Sequence, residues 1–186
     1  MSRDRPYHHG DLRAVLLRSA VAAIEAEGAA ALSVRSVARD AGVTHTAATY
    51  HFGDKAGLLT AVAVDGYRIL AGALRQALEE RRSFLEVGVA YVRFAVDHPA
   101  HFEVMYQPRL HRADDPELLA VKRDAAELLY GTREADHAQT AAGVAAWSIV
   151  HGLATLWLNG NLPPQLGDDP AEITRVVASH LRTPRR

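Results

Sequence analysis

The sequence predicts an all-α protein of about nine helices, and three observations support this fold class. Alanine, the residue with the highest helix propensity, accounts for 34 of the 186 residues. Apolar residues recur at three- and four-residue spacing, which is the period of a helix face. Capping residues, glycines and prolines divide the chain into segments of helical length, and no segment is a convincing strand.

The expected start of each helix is a residue that can cap it. Asp11 opens the first periodic run, and the predicted caps of the later helices are Ser33, Thr44, Asp54, Ser83, Asp115, Asp136 and Asp169. Ser83 and Asp136 are each followed three residues later by Glu or Gln, which is the pattern of a capping box. In chain order, the predicted helices cover residues 11–27, 34–41, 44–51, 54–80, 84–98, 99–105, 116–130, 137–159 and a last segment from residue 170.

The composition limits what the chain can do. Apolar residues make up 48% and charged residues 23%, as in globular proteins. The absence of cysteine excludes disulfides, thiol nucleophiles, iron–sulfur clusters and cysteine-bound zinc. The net charge is −1, so nucleic acid would have to be bound by a local surface. The polar start is unlike a secretory signal, and we expect a cytoplasmic protein.

One apolar segment has the length of a membrane span. Residues 141–158 contain His151 as their only ionisable residue. Polar residues and many alanines interrupt this segment, and no other segment is expected to join it in a bilayer. We therefore expect a buried helix of a core or of a subunit interface, and no membrane partner.

Residues 33–52 form a helix-turn-helix pattern. Gly42 permits a tight turn between two short helices, and Ala38 is small enough for the helices to cross beside it. The second helix of such a unit enters the major groove of DNA. Its expected exposed residues can all form hydrogen bonds: Thr44, His45, Thr46, Thr49 and Tyr50. No acidic residue occurs between Asp40 and Asp54, which favours an anionic partner, although a helical hairpin used only for packing stays open.

Three segments carry a resemblance to a known family. They are Tyr7 to Arg13, Ser33 to Val43, and Tyr50-His51-Phe52 with Lys55, Leu58 and Leu59. Residues 7–70 resemble the N-terminal domain of the TetR/AcrR family of bacterial transcriptional regulators. The resemblance implies a flexible arm at 1–9 with Arg3 and Arg5, a DNA-binding domain at 10–70, and a ligand-binding and dimerisation domain at 71–186.

The resemblance also implies which residues contact DNA. These are Ser33, Arg35, Thr44, His45, Thr46, Thr49, Tyr50, His51 and Lys55. Many family members carry tyrosine two positions before the histidine, where this chain has Thr49. Either Thr49 or Tyr50 therefore supplies the main phosphate contact.

The run from Trp147 to Ala154 resembles a tryptophan–histidine–glycine subclass of C-terminal domains. In that architecture the last two helices pair with those of a second subunit, and the penultimate helix here is apolar nearly all round. We therefore expect a homodimer. The residues expected at its interface are Val144, Ile149, Leu153, Leu156, Ile173, Val176, Val177 and His180.

Aromatic residues in the C-terminal half are candidates for an effector pocket. The set is Tyr91, Phe94, Phe102, Met105, Tyr106, Trp147 and His151. The same residues also fit an ordinary helical core. No fixed charge lies among them, which favours an apolar or neutral effector.

These features predict a repressor that an effector releases from a palindromic operator. Two other classes stay open: a helical interaction module without DNA binding, and an all-α enzyme. No phosphate-binding loop or nucleophile motif is present, so we expect neither catalysis nor a cofactor. His98, His101 and Glu103 are near one another in sequence, but Pro99 interrupts their spacing and we expect no metal.

Overall fold

The computed structural model describes residues 9–81, 83–130 and 135–180. This part of the chain forms nine α-helices and no strand, which confirms the predicted fold class. The helices are α1 (His9–Glu27), α2 (Val34–Asp40), α3 (His45–Phe52), α4 (Lys55–Arg81), α5 (Phe84–Asp97), α6 (Pro99–Met105), α7 (Pro116–Tyr130), α8 (His137–Leu158) and α9 (Pro170–Ser179). The short 3₁₀ helix Pro164–Leu166 precedes α9. Arg3 and Arg5 of the expected arm lie outside the described residues.

Most predicted helix starts are capped as expected. Side-chain oxygens of four residues accept a hydrogen bond from the first turn of their helices: Thr44, Asp54, Asp115 and Asp169. Asp136 and Gln139 form a complete capping box at α8, with bonds of 2.8 and 3.1 Å. These bonds satisfy N–H groups that have no partner within the helix.

Two predicted serine caps are wrong. Ser33 and Ser83 have the extended backbone of a cap, but their hydroxyls make no capping bond. Glu86, expected to complete a capping box with Ser83, instead accepts two hydrogen bonds of 2.9 Å from Arg175. Glu86 thus forms a tertiary ion pair where a local hydrogen bond to the backbone was expected.

The described residues form two compact units. The first takes in the chain as far as Asp65 together with Ala100–Leu118, and the second takes in Gly66–Pro99 and the chain from Leu119 onward. The first unit thus contains α1 to α3, the start of α4, α6 and the loop after α6. No pattern in the sequence predicts that α6 joins the N-terminal helices, and the domain limits drawn from the sequence stay a prediction.

The second unit is built around α5. This helix packs against both α8 and α9, and its Tyr91 and Val92 are completely buried. Arg175 of α9 is paired with Glu86 of α5, and this hydrogen-bonded pair raises the pKa of Arg175 above its usual value. The core of this unit therefore depends on side chains far apart in sequence.

Two helices, α4 and α8, are long and apolar enough to cross a membrane by length and composition alone. In α4 the most apolar stretch is 67% buried within the protein, as in the core helix of a soluble domain. In α8 the corresponding stretch is only 22% buried. Most residues of this apolar stretch of α8 are therefore not buried within their own chain.

Candidate DNA interface and effector-binding body

A tight turn sets the geometry of α2 and α3. Gly42 has a φ of +71°, a conformation that residues with a side chain rarely adopt. The N–H of Val43 donates to the carbonyl of Ala38 over 2.9 Å and closes the turn. Ala38 and Ala48 are buried, as the close approach of the two helices requires. These contacts form the predicted helix-turn-helix.

The outer face of α3 presents hydrogen-bonding side chains to solvent. Thr44, His45 and Thr46 are exposed at its N-terminal end, as predicted. Tyr50 is 83% exposed, and such exposure of an aromatic side chain is typical of a residue that contacts a binding partner. No carboxylate lies on this helix, so nothing on α3 itself repels a phosphate.

Thr49 was expected on the same exposed face, and this expectation is wrong. It is half-buried, and its hydroxyl oxygen is buried without a hydrogen-bond partner. The reason is its position, one residue from buried Ala48 and three from buried Phe52. His51 is half-buried as well, and its ring lies between those of Tyr50 and Phe52, with centroids 5.5 and 6.2 Å away.

Lys55 occupies the first position of α4, three residues after Phe52, the last residue of α3. Its ammonium donates a 2.6 Å hydrogen bond to the carbonyl of Ala30, in the segment between α1 and α2. An ammonium has three donors, so this bond leaves capacity for a phosphate. At the start of α2, Ser33 and Arg35 are both exposed.

Three residues that no sequence pattern assigns to the DNA-binding domain make long-range contacts in the first unit. Glu103 of α6 accepts a hydrogen bond from the N–H of Ala29 over 3.2 Å, and His101 lies 3.2 Å from Asp65. Arg112, in the loop after α6, donates to Asp54 over 3.0 Å. These partners lie 36 to 74 residues apart in sequence, so no local pattern could have indicated them.

Backbone N–H groups and the side chain of Arg112 surround the carboxylate of Asp54. The N–H of Gly57 and the guanidinium of Arg112 hold the pKa of Asp54 below its usual value. The carboxylate therefore stays ionised at neutral pH, and Arg112 offsets its charge at the start of α4.

The predicted effector residues divide between the two units. Phe102, Met105 and Tyr106 belong to the first unit, whereas the second unit contains Tyr91, Phe94, Trp147 and His151. The Tyr91 hydroxyl lies 2.8 Å from Nδ1 of His151, and the Trp147 ring lies 5.5 Å from the His151 ring. Burial lowers the pKa of His151, so this cluster is neutral near pH 7.

A cavity of about 860 Å³ lies within the second unit. Its walls come from the start of α5, the end of α7, the middle of α8 and the second half of α9, and of the predicted effector residues only Trp147 lines it. Among the described residues, no charged side chain lines it; the lining residues are Ser83, Phe84, Leu85, Val87, Gly88, Leu129, Ala142, Ala145, Ala146, Trp147, Ile149, Val150, Thr174, Ala178 and Ser179. A cavity of this size and composition fits an apolar ligand.

The residues predicted at a dimer interface differ in exposure. Val144, Leu156 and Val176 are 40 to 46% exposed, which is high for large apolar side chains. His180 is exposed, and Ile149 and Val177 are half-buried. Leu153 and Ile173 are buried in the core of their own chain and offer little surface to a second subunit, and the interface itself stays a prediction.

No group of three His, Asp or Glu side chains suited to a metal ion occurs among the described residues. His98 packs on Phe94, with ring centroids 5.4 Å apart, while His101 is paired with Asp65. The two histidines that are close in sequence thus belong to different units.

The first unit has the architecture of a helix-turn-helix DNA-binding protein. Two family models match the chain. The model described as bacterial regulatory proteins of the tetR family matches residues 16–62, and the tetracyclin repressor-like C-terminal domain matches residues 84–181. The second match alone covers more than half of the chain. The chain belongs to the TetR family, and it is a DNA-binding transcriptional regulator.

Solved structures agree with this fold. A protein of unknown function from Rhodococcus sp. RHA1 is 30% identical, with a TM-score of 0.77 over 95% of this chain and 96% of that one. The TetR family transcriptional regulator PfmR from Thermus thermophilus is 21% identical, with a TM-score of 0.68 over 92% and 99%. The fatty acid degradation regulator FadR from Bacillus halodurans is 15% identical, with a TM-score of 0.69 over 100% and 99%. None of the curated proteins matches the chain.

Proposed function

We propose that this regulator is a homodimeric repressor that binds an inverted-repeat operator and that a small apolar or neutral effector releases it. The observation that carries the DNA-binding part is the exposed outer face of α3. Three hydrogen-bonding side chains at its N-terminal end and the highly exposed Tyr50 are accessible, and α3 itself carries no carboxylate.

We assign separate roles to these residues. Thr44, His45 and Thr46 read base edges, because the N-terminal end of a recognition helix lies in the major groove. Tyr50 and Lys55 contact backbone phosphates, supported by His51, Ser33 and Arg35. The buried hydroxyl of Thr49 favours Tyr50 as the main phosphate contact of the two alternatives.

The dimer is supported by α8 and α9. Both helices carry large apolar side chains that their own chain leaves exposed: Val144, Leu156 and Val176. A two-fold dimer would place two α3 helices in successive major grooves, about 34–36 Å apart, and would require an operator with the same symmetry. The protein would act in the bacterial cytoplasm, where its DNA lies.

The effector class follows from the uncharged lining of the cavity in the second unit. Among the described residues, a ligand there would find apolar walls and a few hydroxyl groups but no charged side chain, which favours a neutral or apolar molecule. It would release DNA only if it bound the DNA-free state more tightly than the DNA-bound state.

Selection on random duplex DNA tests this proposal. The purified full chain is incubated with a randomised duplex library, and the enriched sequences are then titrated at several salt concentrations. We expect an inverted repeat and a steep fall of affinity with salt. A folded dimer that enriches no sequence without effector would contradict the repressor proposal. Enrichment of single, unrepeated sites would contradict the dimeric one.

The enriched operator then serves as the probe for effectors. Apolar and neutral compounds are compared with charged analogues for release of labelled operator, using Ala146→Trp as the cavity-filling control variant. Release by charged analogues alone, or equal release from the filled variant, would contradict the assignment of the cavity.

A further inference from the structure

Arg112 lies against the turn that joins the recognition helix α3 to α4, although it is 58 residues away from Asp54 in sequence. Its Nη2 is 3.0 Å from a carboxylate oxygen of Asp54. A Cβ atom at Gly53 would lie 3.5 Å from Nη2, and one at Gly57 would lie 3.4 Å from Nη1. The guanidinium therefore lies beside the short segment that contains Lys55 and directly follows Tyr50, His51 and Phe52.

Arg112 is held at both its backbone and its side chain. Its N–H donates to the hydroxyl of Thr60 over 2.9 Å, and Thr60 is buried. Its guanidinium is paired with Asp54, while 48% of the side chain stays exposed. A side chain fixed in this way loses less conformational entropy when it binds a further partner.

The donors of Arg112 exceed what Asp54 uses. A guanidinium carries five N–H donors in a planar fork, and the bond to Asp54 involves Nη2. Nη1 and Nε keep donors for another acceptor, and the fork matches the geometry of a phosphate. Asp54 is the one acidic residue between residues 41 and 60, and Arg112 offsets its charge.

We propose that Arg112 contacts the DNA backbone and adds to the phosphate-binding surface formed by Tyr50 and Lys55. This inference rests on the proposed DNA-binding face of α3 and the start of α4. It assigns a DNA contact to the loop after α6. All contacts predicted from the sequence lie within residues 10–70.

A narrower role must be separated from this one. Arg112 could act only by neutralising Asp54, whose carboxylate would otherwise repel phosphates. Removing both charges distinguishes the two roles, because D54N/R112Q has no carboxylate left to neutralise.

The test measures the affinity of the full chain for its selected operator and for an unrelated duplex, by fluorescence anisotropy between about 50 and 200 mM salt. R112Q is expected to lower both affinities by a similar factor and to reduce the salt slope by about one for each subunit bound. The ratio of the wild-type affinity to the R112Q affinity should therefore fall about 3.5-fold per contact between the lowest and highest salt concentrations. This factor is the fourfold change in salt raised to the power of about 0.9.

Two matched variants are measured beside it. R75Q removes an arginine that is also about half exposed and also paired with an aspartate, Asp124, but in the second unit. It should leave the slope unchanged. K55Q tests the proposed DNA face itself, and it should lower the slope as R112Q does.

Each result decides between the proposals. A wild-type slope for R112Q with a lowered slope for K55Q would overturn the role of Arg112 and leave the DNA face intact. Wild-type slopes for both would overturn the DNA face as well. Recovery of wild-type affinity in D54N/R112Q would show that Arg112 only neutralises Asp54, and continued weak binding would support the phosphate contact.

If R112Q does not fold, the wild-type protein supplies the measurement. Its arginine Nε–H signals are recorded by ¹⁵N NMR with and without duplex DNA, and the Arg112 signal is assigned from its absence in R112K. A shift of this signal on addition of duplex supports the contact, and an unchanged signal overturns it.

Discussion

Thr46 lies exposed at the N-terminal end of the recognition helix, and replacing it with alanine tests base recognition. We expect the preference at particular base pairs to change by about 1–3 kcal/mol, because a hydrogen-bonding group at a base edge would be lost. The measurement is the affinity for a set of operators that differ at single base pairs. Thr46→Ser keeps the hydroxyl and should retain the preference; identical preferences in wild type and Thr46→Ala would place base reading elsewhere.

Gly57 should not tolerate a side chain. A Cβ atom there would lie 1.9 Å from the carbonyl oxygen of Phe52, so the backbone at the start of α4 would have to shift. We expect Gly57→Ala to lower the free energy of unfolding by about 1–3 kcal/mol, as overpacking does.

Gly72 provides the control for this substitution in the same helix. A Cβ atom at Gly72 meets nothing within 4 Å, so Gly72→Ala should raise stability by about 0.5–1 kcal/mol through helix propensity. Thermal unfolding monitored by circular dichroism compares the two variants. Equal effects would contradict the close approach seen at Gly57.

Individual residues could be predicted from the sequence where one residue decides one feature. Gly42 takes the left-handed conformation that the turn of the helix-turn-helix requires, and Ala38 is buried beside it. The partial burial of Thr49 could not be predicted, because the helical period alone does not distinguish a position at the edge of the buried face from a fully exposed position. Arg112 was missed because its partners Asp54 and Thr60 are defined only by tertiary structure.

At the scale of helices, most of the fold could be predicted. Aspartate and threonine caps marked five helix starts correctly because each cap is a local interaction between a side chain and the next turn. The capping box predicted for Ser83 and Glu86 does not form, because Arg175, 89 residues further along the chain, binds the Glu86 carboxylate. The predicted effector residues are divided between the units for a related reason: α6 belongs with the N-terminal helices, so its Phe102 and Met105 lie in the first unit.

The capping box at α8 gives a prediction at this scale. Asp136→Ala removes a side chain that accepts the N–H of Gln139, and it should cost about 0.5–2 kcal/mol of stability. Ser83→Ala should cost little at α5, because that hydroxyl makes no capping bond. Urea unfolding of both variants checks the difference, and a larger loss for Ser83→Ala would contradict the assignment of the caps.

At the scale of the whole molecule, the sequence predicts an interface, and the structure shows how exposed each of its expected members is. A helix that is apolar nearly all round is expected to bury one face within its own chain and another against a partner. The sequence cannot show which face of α8 packs within its own chain. Leu153 was therefore expected on the exposed face, although it is buried in the second unit, where α8 packs against α5 and α9. The structure leaves Leu156 as one of the exposed apolar residues of α8.

Leu156→Arg should therefore convert the proposed dimer into a monomer. A buried, unpaired guanidinium at a subunit interface is strongly unfavourable. Sedimentation velocity measures the association state, and operator titration should show loss of affinity for the inverted repeat. Leu119→Arg is the matched control, because Leu119 of α7 is exposed to the same extent, 46% against 45%. Equal dimerisation of wild type and Leu156→Arg would remove this surface of α8 from the interface.

The membership of Ala100–Leu118 in the first unit also bears on how the chain is synthesised. A nascent chain that has left the ribosome only as far as Asp65 lacks the partners of the Ala29 N–H and of Asp54, which come from Glu103 and Arg112. The DNA-reading unit can therefore be completed only after more than half of the protein has emerged. A gene fusion cut at residue 65 would carry the recognition helix without the segment that braces it, whereas one cut after Tyr130 would carry both.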